Sequence, residues 1–270
     1  MKKIYLTTLF IVLIQNNIVF GQMDERFYYP DKEWIEINFP NYEEIILYQE
    51  QDTVYSLFLK SNREVKATIL YFHGNGSNNS KWASLMTPLT DDGFQVCMLD
   101  YRGYGKSTGK PTHLNIAYDA QMLLDSLLAR KDINGFPLII YGASIGTQVA
   151  TYLTKENNAK VNALILDGTI LSFTDIALQT SPPEYHDVIQ QFVKSPYSAK
   201  EDIKEIKNIP ILFIHSKEDE ISIDGAKKVY DNVNVSCRKE FWTYEGKHLE
   251  ALKKYPQQSI VHINKLILKF

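Results

Sequence analysis

Short apolar runs alternate along this chain with longer stretches in which apolar residues recur every three or four positions. The runs at 67–72, 94–99, 136–141, 161–166, 209–215 and 239–243 are strand-length, rich in β-branched and aromatic residues, and mostly continuous, which predicts strands buried on both faces. Earlier, 45–48 and 54–59 flank Glu50-Gln51-Asp52 and predict a hairpin. Between the runs, 81–92, 112–130, 147–153, 226–232 and 257–270 predict helices, with Leu123, Leu124, Leu127 and Leu128 on one side of the second. Strands alternating with helices predict an α/β fold: a mostly parallel central sheet with helices on both faces and an antiparallel hairpin at its start. The polar and aromatic stretch 24–40 is expected to wrap the surface. About 40 residues, 169–208, separate two strands where a crossover needs far fewer, which predicts a short helical cap over a site.

The chain has 270 residues, 44% hydrophobic and 23% charged, with a formal net charge of −3, which fits one large domain. Mild acidity without a Lys/Arg block argues against nucleic acid as a partner. Lys2 and Lys3 precede an apolar run at 4–14, and Val19-Phe20-Gly21 supplies a cleavage region. This predicts a secretory signal at 1–21, an exported domain at 22–270, and no stable membrane span, because the run is short and interrupted by Gln15-Asn16-Asn17. Cys97 and Cys237 both lie in strand-like runs and are expected to be free and buried. No Cys/His cluster has zinc spacing, so no metal is expected.

The chemistry centres on Gly142-Ala143-Ser144-Ile145-Gly146, set between a predicted strand and a predicted helix. Gly-x-Ser-x-Gly in that setting is a nucleophile elbow: the serine sits on a strained turn, and a Cβ on either flanking glycine would strike the neighbouring strand and helix. A serine hydroxyl needs a base to take its proton and an acid to orient the base. In elbow enzymes these follow in the order serine, acid, histidine. Asp219, in the acidic loop after the run ending at His215, and His248, after the last strand, fit that order. Asp167, at another strand end, is the rival acid. Among the other histidines, His73 and His113 precede the serine, His186 lies in the cap, His215 ends a strand and His262 lies in the last helix. Lys217 reads as a surface cation, and Asp100 and Arg102 as a loop-holding network. Phe173, Tyr185, Phe192 and Tyr197 either line a pocket or cover the core. The oxyanion needs two backbone N–H donors, expected from Ile145 and from Asn75 in the loop His73-Gly74-Asn75-Gly76. That loop lacks both the Gly-Lys-Ser/Thr ending and the spacing of a phosphate-binding turn.

His73-Gly74-Asn75-Gly76-Ser77-Asn78, Asp100-Tyr101-Arg102-Gly103-Tyr104-Gly105-Lys106-Ser107, the elbow, and the Asp219 and His248 loops occur in order. Over roughly residues 40–255 the chain resembles the α/β-hydrolase superfamily, and within it the small-cap Bem46-like and depalmitoylase-like group. The resemblance implies a Ser144–Asp219–His248 triad, an oxyanion hole from Asn75 and Ile145, and no cofactor. His215-Ser216 stands where the family usually has His-Gly, and Glu245-Gly246-Lys247-His248 replaces commoner forms. The expected activity is an exported serine hydrolase acting on a small-molecule ester or thioester through an acyl-enzyme. The alternatives are a serine peptidase or amidase, whose relatives usually carry a larger specificity domain, and a catalytically silent binding protein. The substrate and the oligomeric state stay open at this level.

Overall fold

In the computed structural model, which describes residues 23–49 and 51–268, eight strands form one sheet. They are β1 (Tyr42–Gln49), β2 (Asp52–Leu59), β3 (Ala67–Phe72), β4 (Phe94–Leu99), β5 (Leu138–Ala143), β6 (Ala163–Asp167), β7 (Ile211–Ser216) and β8 (Lys239–Tyr244), in the spatial order β1-β2-β4-β3-β5-β6-β7-β8. The hairpin β1–β2 is antiparallel, with Ile46 opposite Tyr55, and β2 joins β4 antiparallel. Every later pairing is parallel. The predicted signal at 1–21 lies outside the described residues.

Every residue of β3 to β7 is buried, the reason their sequences read as unbroken apolar runs. Neighbouring side chains point to opposite faces: Leu70 and Phe72 enter one core, Ile69 and Tyr71 the other. The first core packs under α3 (His113–Leu128) and α4 (Gly146–Glu156), through Leu123, Leu124, Leu127, Val149 and Leu153. The second packs Met86 and Leu89 with Ile260 and Ile263.

Three local expectations change. The helix expected over 81–92 is three short pieces, α1 (Asn79–Trp82), a 3₁₀ turn (Ala83–Met86) and α2 (Thr87–Asp91). Pro88 has no N–H to continue a preceding turn and sits instead in the first turn of α2. The last helix, expected over 257–270, is Pro256–Asn264, with Pro256 in its first turn. Residues 235–237 form a turn, closed by Cys237 N–H donating to Asn234 O at 2.9 Å, where the sequence suggested a strand. Cys97 and Cys237 are nonetheless free and buried, and burial pushes the Cys97 thiol up to about 12.

Between β6 and β7 lie α5 (Phe173–Thr180), a 3₁₀ turn (Pro183–Tyr185), α6 (His186–Phe192) and α7 (Ala199–Asp202). Ala177, Ile189 and Val193 form a small cluster there, closed by Met23 and Phe27 from the N-terminal segment. Phe173 and Tyr197 turn inward to the main core, Phe173 stacking on His113 at 3.5 Å between ring centres. The N-terminal segment then runs over the loops at the carboxyl edge. Asn78 Nδ2 donates to the carbonyls of Asp31 and Glu33, and Gly105 N–H donates to Asp31 O at 2.9 Å.

Candidate active site

Ser144 stands between β5 and α4 with φ at +54°, a left-handed conformation unfavourable for any residue with a Cβ. Its neighbours hold it there. Ser144 N–H donates to Asp167 O at 2.7 Å, and Ser144 O accepts from Thr147 N–H at 2.9 Å and from the Thr147 hydroxyl at 2.6 Å. A Cβ on Gly142 would lie 2.5 Å from Gly146 O and 2.6 Å from Ala150 Cβ; one on Gly146 would lie 2.3 Å from Phe72 O. These two glycines let helix, turn and the end of β3 close together beneath the serine.

The loops after β7 and β8 bring Asp219 and His248 together. His248 Nδ1 lies 2.8 Å from Asp219 Oδ2, and Asp219 Oδ1 accepts the Ile221 N–H at 2.9 Å. A carboxylate only accepts, so Nδ1 carries the proton and Nε2 is left with its lone pair. Nε2 is buried and has no hydrogen-bond partner among the described residues. His248 and Ser144 line one cavity of about 360 Å³. Gly168, at φ +63°, makes room for the imidazole: a Cβ there would lie 2.4 Å from His248 Cε1. The rival acid, Asp167, makes no hydrogen bond to His248. Its Oδ2 accepts from the Tyr141 hydroxyl at 2.9 Å, and burial raises its carboxyl to about 7.

The loop after β3 is held from behind at two consecutive peptides. His73 is fully buried, and burial lowers it to about 4, so it is neutral; its Nδ1 lies 2.6 Å from Gly74 O and must donate. The Tyr104 hydroxyl donates to Asn75 O at 2.6 Å, and Tyr29 N–H reaches the same oxygen at 2.9 Å. All described peptides are trans, so fixing Gly74 O toward His73 turns the Asn75 N–H the opposite way. The N–H groups of Asn75 and Ile145 donate to nothing among the described residues. Ile145 also stands at the N-terminus of α4, where partial positive charge accumulates.

The remaining candidates are engaged elsewhere. Asp100 and Arg102 anchor separately and not as a pair. Asp100 Oδ1 accepts the Asn79 N–H at 2.8 Å, and burial raises its carboxyl to about 7; Arg102 forks onto Asp119 at 2.8 and 2.9 Å and reaches Asp52 at 3.0 Å. His113 meets the Tyr28 hydroxyl at 2.7 Å, His262 meets Glu240, and His186 lies 3.2 Å from Ser181 O. His215 donates to Ile221 O at 3.2 Å, behind the Asp219 loop. Exposed Lys217 pairs with Glu245 at 2.8 Å. Among the described residues no three His, Cys, Asp or Glu side chains are placed to hold a metal.

The cavity wall itself departs from expectation. No residue of 169–208 lines it. Trp82 and Leu85, with Leu249, Glu250 and Lys253, form its sides. Tyr104, Gly168, Trp82 and Lys253 were not singled out by sequence reasoning. Tyr104 lies within the motif at 100–107, and Trp82 follows the glycine loop closely enough to have been considered.

Comparison with known proteins adds to this geometry. Residues 63–182 match a family model described as serine aminopeptidase, S33. The chain is 33% identical over 191 residues to Protein bem46 of Schizosaccharomyces pombe, covering 70% of this chain and 64% of that protein. It is 32% identical over 173 residues to the lysophosphatidylserine lipase ABHD12 of Macaca fascicularis, covering 57% of this chain and 42% of that one. The chain thus spans less than two thirds of these relatives' length. Among solved structures, the Pyrococcus furiosus esterase Pf2001 superposes with a TM-score of 0.68 at 17% identity, covering 91% of this chain and 98% of that one, a likeness of fold.

Proposed function

The chain belongs to the α/β-hydrolase superfamily, in its Bem46-like group, and from that premise we propose that it is a serine hydrolase cleaving carboxylic esters or thioesters through Ser144, His248 and Asp219. The observation that carries this reading is the 2.8 Å contact of His248 Nδ1 with Asp219, which leaves Nε2 without a partner among the described residues, on a residue that lines one cavity with Ser144. The Ser144 hydroxyl attacks the substrate carbonyl while Nε2 takes its proton. Asp219 stabilises the resulting imidazolium. The N–H groups of Asn75 and Ile145 receive the oxyanion, and the buried loop keeps them aimed before the charge develops. His248 then gives its proton to the departing alkoxide or thiolate, leaving an acyl-Ser144 that water, activated by the same nitrogen, hydrolyses. No cofactor enters these steps. On residues 1–21 we also propose that the protein is exported.

An aminopeptidase reading has the description of the matched family model in its favour. It requires a carboxylate free to receive a substrate ammonium. Glu250 is the one acid lining the cavity among the described residues, and its charge is paired with Lys254, whose Nζ lies 2.8 Å from Oε2, the oxygen that also accepts Lys247 N–H at 2.8 Å. The ester reading therefore ranks first.

The test is steady-state turnover of ester and thioester panels. Ser144→Ala should fall to background, and Asp219→Asn should lose about 10³-fold or more in kcat, because the base is then held in the wrong tautomer. Wild-type turnover by Ser144→Ala would contradict the proposal.

A further inference from the structure

We propose that the trough leading away from Ser144 binds the anionic group of a carboxylate- or phosphate-bearing ester, with Lys253 as its cation. This deepens the hydrolase reading and rests on it for the position of the scissile bond.

The cavity at Ser144 and a larger one of about 840 Å³ adjoin, with Trp82, Leu85 and Lys253 in both walls, and we take them together as one trough. Trp82, Leu85, Leu252 and Ile260 give it apolar sides. Several of its charges are paired. Asp92 is paired with Lys66 at 2.8 Å and Glu250 with Lys254, while Asp91, exposed beside Asp92 in the larger cavity, accepts from the neutral Asn62 amide at 3.0 Å and keeps its charge. Lys81 is locked between Asp31 at 2.8 Å and Glu33 at 2.6 Å. The ammonium of Lys253 has no ion-pair or hydrogen-bond partner among the described residues, and neither has the guanidinium of Arg63 at the far end. Lys253 stands at the junction, five positions after His248 in the chain. A substrate whose carbonyl sits at Ser144 and whose far end reaches the larger cavity runs along the wall the two share, to which exposed Lys253 belongs. An unpaired cation against an apolar wall attracts an anion more strongly than one in open water, because the wall displaces solvent around the pair. The complementary occupant has a short apolar stretch, which covers Trp82 and Leu85, and an anion beyond it.

The test is calorimetric titration of full-length Ser144→Ala with octanoate, octyl phosphate and octanol, ligands of one chain length. The anions should bind about five-fold tighter than octanol, the range of a partly exposed ion pair. That difference should vanish in Lys253→Met, persist in Lys253→Arg, and shrink with added salt. Preference for one anion over the other assigns the group as carboxylate or phosphate. Equal affinity for octanol and both anions, or an undiminished difference in Lys253→Met, overturns the site. If Lys253→Met does not fold, the octanol comparison and its salt dependence still decide. Because binding is read without the nucleophile, the two readings fail separately. Discrimination with no ester turnover by wild type sinks the hydrolase and keeps the binding site; turnover without discrimination does the reverse.

Discussion

The Tyr104 hydroxyl donates to the Asn75 carbonyl at 2.6 Å, across 29 positions of sequence. With the His73 contact to Gly74 O it fixes both peptides that meet at Asn75. Tyr104 is thus a positioning residue for a proposed oxyanion donor and touches no substrate. Tyr104→Phe removes one tether and leaves the Tyr29 N–H in place. A lost oxyanion donor costs about 10²–10³ in kcat, so we expect a smaller loss, about ten-fold, with KM nearly unchanged. Steady-state kinetics on the folded variant checks this; a lowered melting temperature with unaltered kcat would mean a role in stability alone.

The glycines around the serine separate into tight and open sites. Gly142→Ala puts a methyl 2.5 Å from Gly146 O, and should destabilise the protein by about 2–3 kcal/mol. A Cβ on Gly76 would meet nothing within 4 Å, so Gly76→Ala should stay within about 0.5 kcal/mol of wild type. Denaturant midpoints of the two variants, read at equal m-value, test the contrast.

Asp167 gives the fold a pH dependence of definite sign. Burial raises its carboxyl to about 7 in the folded protein, against an ordinary value of 3.8. Between those values the folded state holds the proton more tightly than the unfolded chain does. Stability from this group is therefore full at low pH and is lost as pH rises through about 7. Raising pH from about 5 to about 8 should cost wild type of order 1–3 kcal/mol more than Asp167→Asn, which has no proton to lose. Urea unfolding of both proteins at the two pH values measures the difference; equal losses would place the carboxyl in the ionised state throughout.

Much of this was legible in the chain because the constraints are local. Gly142 and Gly146 flank a serine whose turn admits no Cβ beside it, and buried parallel strands announce themselves as unbroken apolar runs. Asp219 and His248 were found from chain order and their places just after strands. The break at Pro88 is visible in sequence, but the apolar periodicity over 81–92 predicts one helix across it. The cavity wall was not legible. A long insertion suggested a cap over the site, yet Phe173 and Tyr197 turn into the main core and Trp82 and Lys253 line the cavity. Which side chains meet across such distances is settled by packing. Tyr104 and Asn75 belong to the same class, since nothing in the spacing of two loop residues shows that a hydroxyl will reach a carbonyl.

The central claim is that Ser144 is an activated nucleophile beside a formed oxyanion hole. Its most direct test is the intact mass of the purified protein after exposure to a fluorophosphonate, with Ser144→Ala treated in parallel. The account predicts one adduct on wild type, mapping to Ser144, and none on the variant. A folded wild-type protein that stays unmodified, or a variant labelled as readily as wild type, would contradict it.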